Sequence, residues 1–164
     1  MDGQLVALAS VHELLDCHGI EYWLFGGWAV DFYAGAVTRP HDDVDIAVWL
    51  DDHERIAGLL EADRWKHAPD EDDGGTGYER DGVRLELTFL VRGEDGNAYV
   101  PLRGGHVRWT ATLSERPLAE LEGVTARLMS FAALKNGKSQ PREDPGEAAK
   151  DRADFDALSR VGER

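Results

Sequence analysis

An α/β fold is what the sequence predicts, and three observations carry that expectation. Leu5, Leu8, Val11, Leu14 and Leu15 recur at helical intervals, whereas Val44, Ile46, Val48 and Leu50 alternate with Asp43, Asp45 and Ala47 as a half-buried strand requires. A second alternating run sets Val83, Leu85, Leu87, Phe89 and Val91 against Arg84, Glu86 and Thr88.

The first helix is expected to end near Gly19, with Cys17 packed as a small apolar side chain at its end. Tyr22, Trp23, Leu24 and Phe25 read as a short buried strand. After Gly26-Gly27, the residues Trp28, Ala29, Phe32 and Tyr33 return to helical spacing, and Gly35 is a natural stop. A further helix is expected from about Asp52 to Asp63, with Ile56, Leu59 and Leu60 inward. The acidic, glycine-rich stretch Pro69 to Gly77 reads as a hairpin connection, with a metal-binding loop as the alternative. Short strands are expected at Tyr99 to Leu102 and Val107 to Ala111, where Trp109 either lines a pocket or joins the core.

Asp43 and Asp45 lie two residues apart on one strand face, just after a glycine turn. Carboxylates about 5 Å apart at an effective dielectric near 20 repel by roughly 3 kcal/mol, so a partly buried group of them needs a proton or a cation. Mg²⁺ suits such a group, because it takes a few carboxylate oxygens together with substrate phosphates. Gly26 and Gly27 lack Cβ atoms, which lets a phosphate approach the amides at the start of the next helix. Glu86 shares the polar face of its own strand, and it points with the other acids if that strand pairs beside Val44 to Leu50. An exposed glutamate paired with Arg84 or Arg92 is the alternative.

The run Tyr22 to Asp31, followed by Thr38-Arg39-Pro40-His41-Asp42-Asp43-Val44-Asp45-Ile46, resembles the core of the small antibiotic nucleotidyltransferases. These are the lincosamide and 2″-aminoglycoside nucleotidyltransferases of the DNA polymerase beta superfamily. The resemblance implies transfer of a nucleoside monophosphate from a nucleoside triphosphate to a hydroxyl, with release of pyrophosphate. It implies Mg²⁺, as two ions, at Asp43, Asp45 and Glu86, with Glu86 also the general base. Gly26, Gly27 and Arg39 would meet the nucleotide, and His41 would orient the acidic loop. The implied fold is a short mixed sheet with helices mainly on one face, closed by a helical C-terminal segment. Residues 1–112 would form the catalytic core and 113–164 that segment, within one compact domain. Paired subunits in short relatives imply a possible homodimer.

Toward the C-terminus, a helix is expected over Leu128 to Lys135, with Lys135 on the inward stripe below Leu128 and Phe131. An inward lysine snorkels or finds an anion. A last helix aligns Asp151 with Ala148, Phe155 and Leu158, with Lys150 next to it; a surface pair with Asp154 is the alternative role for that lysine. The series Lys135, Lys138, Arg142, Lys150 and Asp151 resembles the basic elements that approach the triphosphate across the superfamily, with Lys135 and Lys150 as the nucleotide-binding candidates.

The formal net charge of −14 over 164 residues disfavours a nucleic-acid partner and suits a small cationic acceptor, an aminoglycoside or a lincosamide. The single cysteine leaves no intramolecular disulfide and no cysteine-based zinc site. Without a signal-like start or a membrane-length apolar run, the chain is expected to be cytoplasmic and free of membrane contacts. Two other functions fit the same residues: an antitoxin-type protein adenylyltransferase, and a noncatalytic nucleotide-binding module.

Overall fold

The computed structural model describes residues 2–71, 73–109 and 112–162. Helix α1 (Gly3–Cys17) leads into β1 (Tyr22–Phe25), α2 (Gly26–Ala34) and β2 (Val44–Trp49). A single 3₁₀ turn then opens α3 (His53–Ala62). Strands β3 (Lys66–His67), β4 (Gly75–Arg80), β5 (Val83–Arg92), β6 (Ala98–Leu102) and β7 (Gly105–Trp109) follow. The hairpin β8 (Leu118–Leu121) and β9 (Val124–Arg127) precedes α4 (Phe131–Lys138) and α5 (Pro145–Gly162). The mixed α/β architecture is the expected one.

Seven strands make one sheet in the order β1-β2-β5-β4-β3, with β6 on the far end of β5 and β7 on β6. Among the named strands of the described residues only β2 and β5 pair in parallel; their register sets Asp45 beside Glu86, while β1 sets Phe25 beside Asp45. Directly paired residues share a face. One face therefore carries Tyr22, Leu24, Val44, Ile46, Val48, Leu85 and Leu87, all buried with the inward residues of α1, α2 and α3. The opposite face is divided. Asp45 and Glu86 occupy one end, and Trp23, Ala47 and Leu90 occupy the other, where they form a second apolar cluster with Ala98 of β6, packed against by Trp49, Val100 and Trp109.

Several local expectations are corrected. Cys17 is exposed, because the inward stripe of α1 runs through Leu5, Leu8, Val11 and Leu15, and a residue two positions beyond Leu15 faces away. Leu50 leaves the strand for the 3₁₀ turn and is exposed. Leu128 and Met129 are not helical: Leu128 bridges Leu24, and the Met129 amide donates to the Leu24 carbonyl, so α4 starts only at Phe131. The C-terminal third is not purely helical, since β8 and β9 open it. Their two-residue turn, Glu122-Gly123, has both residues at positive φ, as a tight hairpin demands.

The stretch expected as a connection up to Gly77 ends earlier, because Gly75, Thr76 and Gly77 belong to β4. Asp81-Gly82, both at positive φ, closes the hairpin to β5. A Cβ at Gly75 would overlap the Leu87 carbonyl, so the close approach of β4 to β5 requires glycine there. Asp72, Thr110 and Ala111, which fall in the predicted acidic stretch and the second predicted strand, lie outside the described residues.

Gly75→Val is expected to destabilise the fold by about 2–4 kcal/mol, a drop of roughly 5–15 °C in Tm for a chain of this length. Gly104→Ala, where an added Cβ meets nothing within 4 Å, is expected to stay within about 0.5 kcal/mol of wild type. Thermal and urea unfolding followed by circular dichroism compares the two. Cys17 is expected to titrate as one accessible thiol per native chain with an aromatic disulfide reagent; reaction only after denaturation would contradict its exposure.

Candidate active site

Gly26 opens α2 with φ +71°, and a Cβ there would lie 2.5 Å from Asp45 Oδ2. A Cβ on Gly27 would collide with the His41 ring and come within 2.7 Å of Arg39 Nη2. Both glycines thus admit functional side chains against the backbone. The first turn of α2 has no side-chain cap, and it faces the same cleft.

The loop that carries the acids is held from below. Asp31, fully buried on α2, accepts from the Thr38 amide (3.1 Å), the Thr38 hydroxyl (2.5 Å) and His41 Nε2 (2.5 Å). The His41 ring packs on Trp28 at 4.5 Å, and its carbonyl accepts from Gln4 Nε2 at 2.8 Å. His41 therefore orients the loop by a hydrogen bond, and Asp31 is the partner that sequence reasoning missed. An aspartate among Val30, Phe32 and Tyr33 on an apolar helix was the available signal.

Asp43 and Asp45 are within hydrogen-bonding reach of each other. Burial pushes Asp43 up from the ordinary carboxylate range. Burial, followed by the charge and hydrogen bond of Asp43 and the charge of Glu86, pushes Asp45 up to about 8. Glu86 is raised as well, first by burial, with Arg84 opposing. Among the described residues no third acid, histidine or cysteine joins the pair closely enough to form a ready three-ligand cage. Glu86 lines the cleft, but it is bonded to Arg84, so the pairing weighed as its alternative role is present too.

Facing the acids, α4, α5 and their connection supply cations. Arg39 grips Asp154 with two hydrogen bonds of 2.9 Å, Nε to Oδ1 and Nη2 to Oδ2. Lys138 reaches Asp154 at 2.9 Å and Asp151 at 3.3 Å. Burial works against the charge of Asp154, yet Arg39 and Lys138 hold its carboxyl below the ordinary range. Lys150 pairs with Asp42 at 2.8 Å and Glu147 at 3.2 Å. The expected surface pair of Lys150 with Asp154 is not formed, because Asp154 is 1 % exposed on the inward face of α5 with Asp151, Ala157 and Leu158.

These groups surround a cleft of about 850 Å³. Gly26, Gly27, Arg39, Asp43, Asp45, Glu86 and Lys150 all line it. Lys135 is not among the lining residues: its ammonium lies over the Phe155 ring at 5.2 Å, while Ala133, Leu134, Gly137 and Lys138 of the same helix line the cleft, so Lys138 takes the place expected of it. Trp109 lines the cleft and meets Phe25 edge to face at 5.2 Å, so it serves pocket and core together.

The aminoglycoside-2″-adenylyltransferase family profile matches residues 7–158. A curated 2″-aminoglycoside nucleotidyltransferase of Klebsiella pneumoniae is 43 % identical over 49 residues, 28 % of this chain and 27 % of that protein. One from Escherichia coli matches to the same extent, so the alignment spans about a quarter of the length of these curated relatives. Among solved structures, the lincosamide antibiotic adenylyltransferase LnuA, lincomycin-bound, superposes with a TM-score of 0.73 at 18 % identity, covering 98 % of each chain. ANT(2″)-Ia in complex with adenylyl-2″-tobramycin gives 0.70 at 19 % identity, covering 98 % of this chain and 94 % of the other. At those identities the two structures speak to the fold. The profile match spans the glycine turn, the acids and the buried Asp154, and on that ground the chain belongs to the aminoglycoside-2″-adenylyltransferase family.

Proposed function

We propose that this chain is a magnesium-dependent nucleotidyltransferase that moves a nucleoside monophosphate from a nucleoside triphosphate to a hydroxyl of a small cationic acceptor of the aminoglycoside or lincosamide class. The observation that carries the reading is the Asp43–Asp45 pair. Two half-buried carboxylates stand within hydrogen-bonding reach of each other and are pushed toward their protonated forms first by burial, and they line a cleft whose opposite wall is cationic. Family membership and the antibiotic ligands of the two superposed enzymes support the same reading.

The donor set fits the metal: oxygens only, two of them on one strand, with the remaining positions left to phosphate and water. Asp43 and Asp45 would hold the ions, with Glu86 at their edge. Bound Mg²⁺ supplies neutralisation of the triphosphate charge and polarisation of the phosphate under attack. On this reading Arg39, Lys138, Arg142 and Lys150 bind the phosphates, helped by the uncapped amides of Gly26 and Gly27. Glu86 takes the proton of the acceptor hydroxyl while its oxygen bonds to the α-phosphorus. The bond from that phosphorus to the β-phosphate oxygen breaks, and pyrophosphate leaves with the electron pair. Asp70, Asp73 and Trp109 line the other side of the cleft, where an amine-bearing acceptor finds negative charge and an aromatic edge. A cytoplasmic location, where nucleoside triphosphate and magnesium abound, suits this chemistry.

The test is pyrophosphate release from each of four nucleoside triphosphates with Mg²⁺ and a panel of aminoglycosides and lincosamides. Asp43→Asn and Asp45→Asn are each expected to reduce turnover by about 10³-fold or more, and Glu86→Gln by about 10²- to 10⁴-fold. Unchanged turnover in either aspartate variant rejects the assignment. Labelled nucleotide on a protein instead of a small acceptor points to the antitoxin-type reading, and nucleotide binding without transfer points to a binding module.

The raised pKa of Asp45 has a consequence for the metal-free protein. The folded state binds that proton more tightly than the unfolded chain, so the associated stability is full below the ordinary aspartate range and is lost as pH rises toward about 8. In chelator, Asp45→Asn is therefore expected to melt above wild type at pH 8, by about 2–4 °C per kcal/mol relieved, with the difference shrinking toward pH 5. Thermal scans at the two pH values measure it; equal melting temperatures at pH 8 would count against a charge-strained pair.

A further inference from the structure

We propose that Arg84 divides the work among the three cleft acids: it holds Glu86 on its own strand, out of the Asp43–Asp45 pair, and directs it to the acceptor. This rests on the nucleotidyltransferase reading above. Arg84 and Glu86 stand two residues apart on β5 and so share the cleft face. The Arg84 Nε donates to Glu86 Oε1 in a close contact, Nη1 donates to Glu79 at 3.2 Å, and Nη2 to Asp70 at 3.3 Å. Three carboxylates, from β5, β4 and the preceding loop, thus engage all three nitrogens of one guanidinium, whose planarity fixes where each points.

The space for that fork is built into β4. Glu79 is the register partner of Arg84, and Gly77 is the register partner of Glu86. A Cβ at Gly77 would come within 2.7 Å of the Arg84 Cζ, so the glycine gives the guanidinium room to lie alongside Glu86.

Released from Arg84, Glu86 has another place to go. Asp45 is its direct neighbour in the parallel register, one strand spacing of about 4.8 Å away on the same face, close enough for both carboxylates to share a divalent ion. With Arg84 in place, no three-ligand cluster forms among the described residues. Arg84 is thus a positioning residue: it leaves the metal to two aspartates and keeps the third carboxylate as a base.

Mn²⁺ alone, titrated into the intact nucleotide-free protein and followed by electron paramagnetic resonance, reads this division without any acceptor. Wild type and Glu86→Gln are expected to bind Mn²⁺ equally within about twofold. Arg84→Ala is expected to bind it about fivefold or more tightly, and the gain is expected to vanish in Arg84→Ala/Glu86→Gln, since it comes from a recruited carboxylate. With ATP and tobramycin or lincomycin, Arg84→Ala is also expected to lower kcat about tenfold or more while the KM for ATP changes less than threefold. Unchanged Mn²⁺ affinity in Arg84→Ala overturns the inference, and so does a gain that persists in the double variant, which reports lost positive charge alone. A weakened Glu86→Gln shows Glu86 to be a ligand already and sinks the division of labour while the nucleotidyltransferase reading stands. Absence of both Mn²⁺ binding and turnover in wild type removes that reading and the inference together.

Discussion

Strand register places like charges where the chain would not otherwise tolerate them, and the remaining architecture answers that constraint. Phe25 beside Asp45 and Asp45 beside Glu86 form one row across β1, β2 and β5, with Asp43 two residues away on the same face. Each carboxylate is pushed toward its protonated form by burial, and Asp45 also by the charges of Asp43 and Glu86, whereas Arg84 opposes the shift at Glu86. An acidic row of this kind is stable only with a proton or a cation, so the repulsion that strains the free protein is also what makes the cleft receptive to metal and phosphate.

The opposite wall solves the converse problem. The cations around the cleft wait beside the acids without collapsing onto them, because each is tied to a carboxylate of its own: Arg39, from the loop before β2, to Asp154, and on the facing wall Lys138 to Asp154 and Asp151 and Lys150 to Asp42 and Glu147. The Asp154 pairs are deeply buried, and removal of one partner from such a pair commonly costs about 3–5 kcal/mol. These pairs also fasten α5 to the loop before β2, so the same contacts that stabilise the C-terminal segment set the width of the cleft.

Glycine gives the site its room. At Gly26 and Gly27 the missing side chains are replaced by Asp45, His41 and Arg39, and at Gly77 by the guanidinium of Arg84. The polar face stays open at its acidic end because those positions carry no side chains to fill it. At the other end of the same face, Trp23, Ala47, Leu90 and Ala98 are packed over by Trp49, Val100 and Trp109. One sheet face therefore serves as both active-site floor and secondary core.

The sequence by itself determined the faces. Period-two alternation in β2 and β5 assigns Asp43, Asp45 and Glu86 to polar surfaces, the diglycine bend marks the entrance to α2, and Gly35 marks its end. The turns at Asp81-Gly82 and Glu122-Gly123 are local too, but neither hairpin was expected: the glycines of β4 obscure its strand pattern, and β8 and β9 are only four residues each. Only the tertiary structure decided which groups meet. Arg39 and Asp154 are 115 residues apart, Lys150 and Asp42 are 108 apart, and the packing of α4 against α5 and the cleft turned Lys138, not Lys135, to the cleft. A local repeat fixes the direction of a side chain relative to its own helix or strand; the partner it finds depends on how distant elements are packed and registered, which no short window of sequence contains.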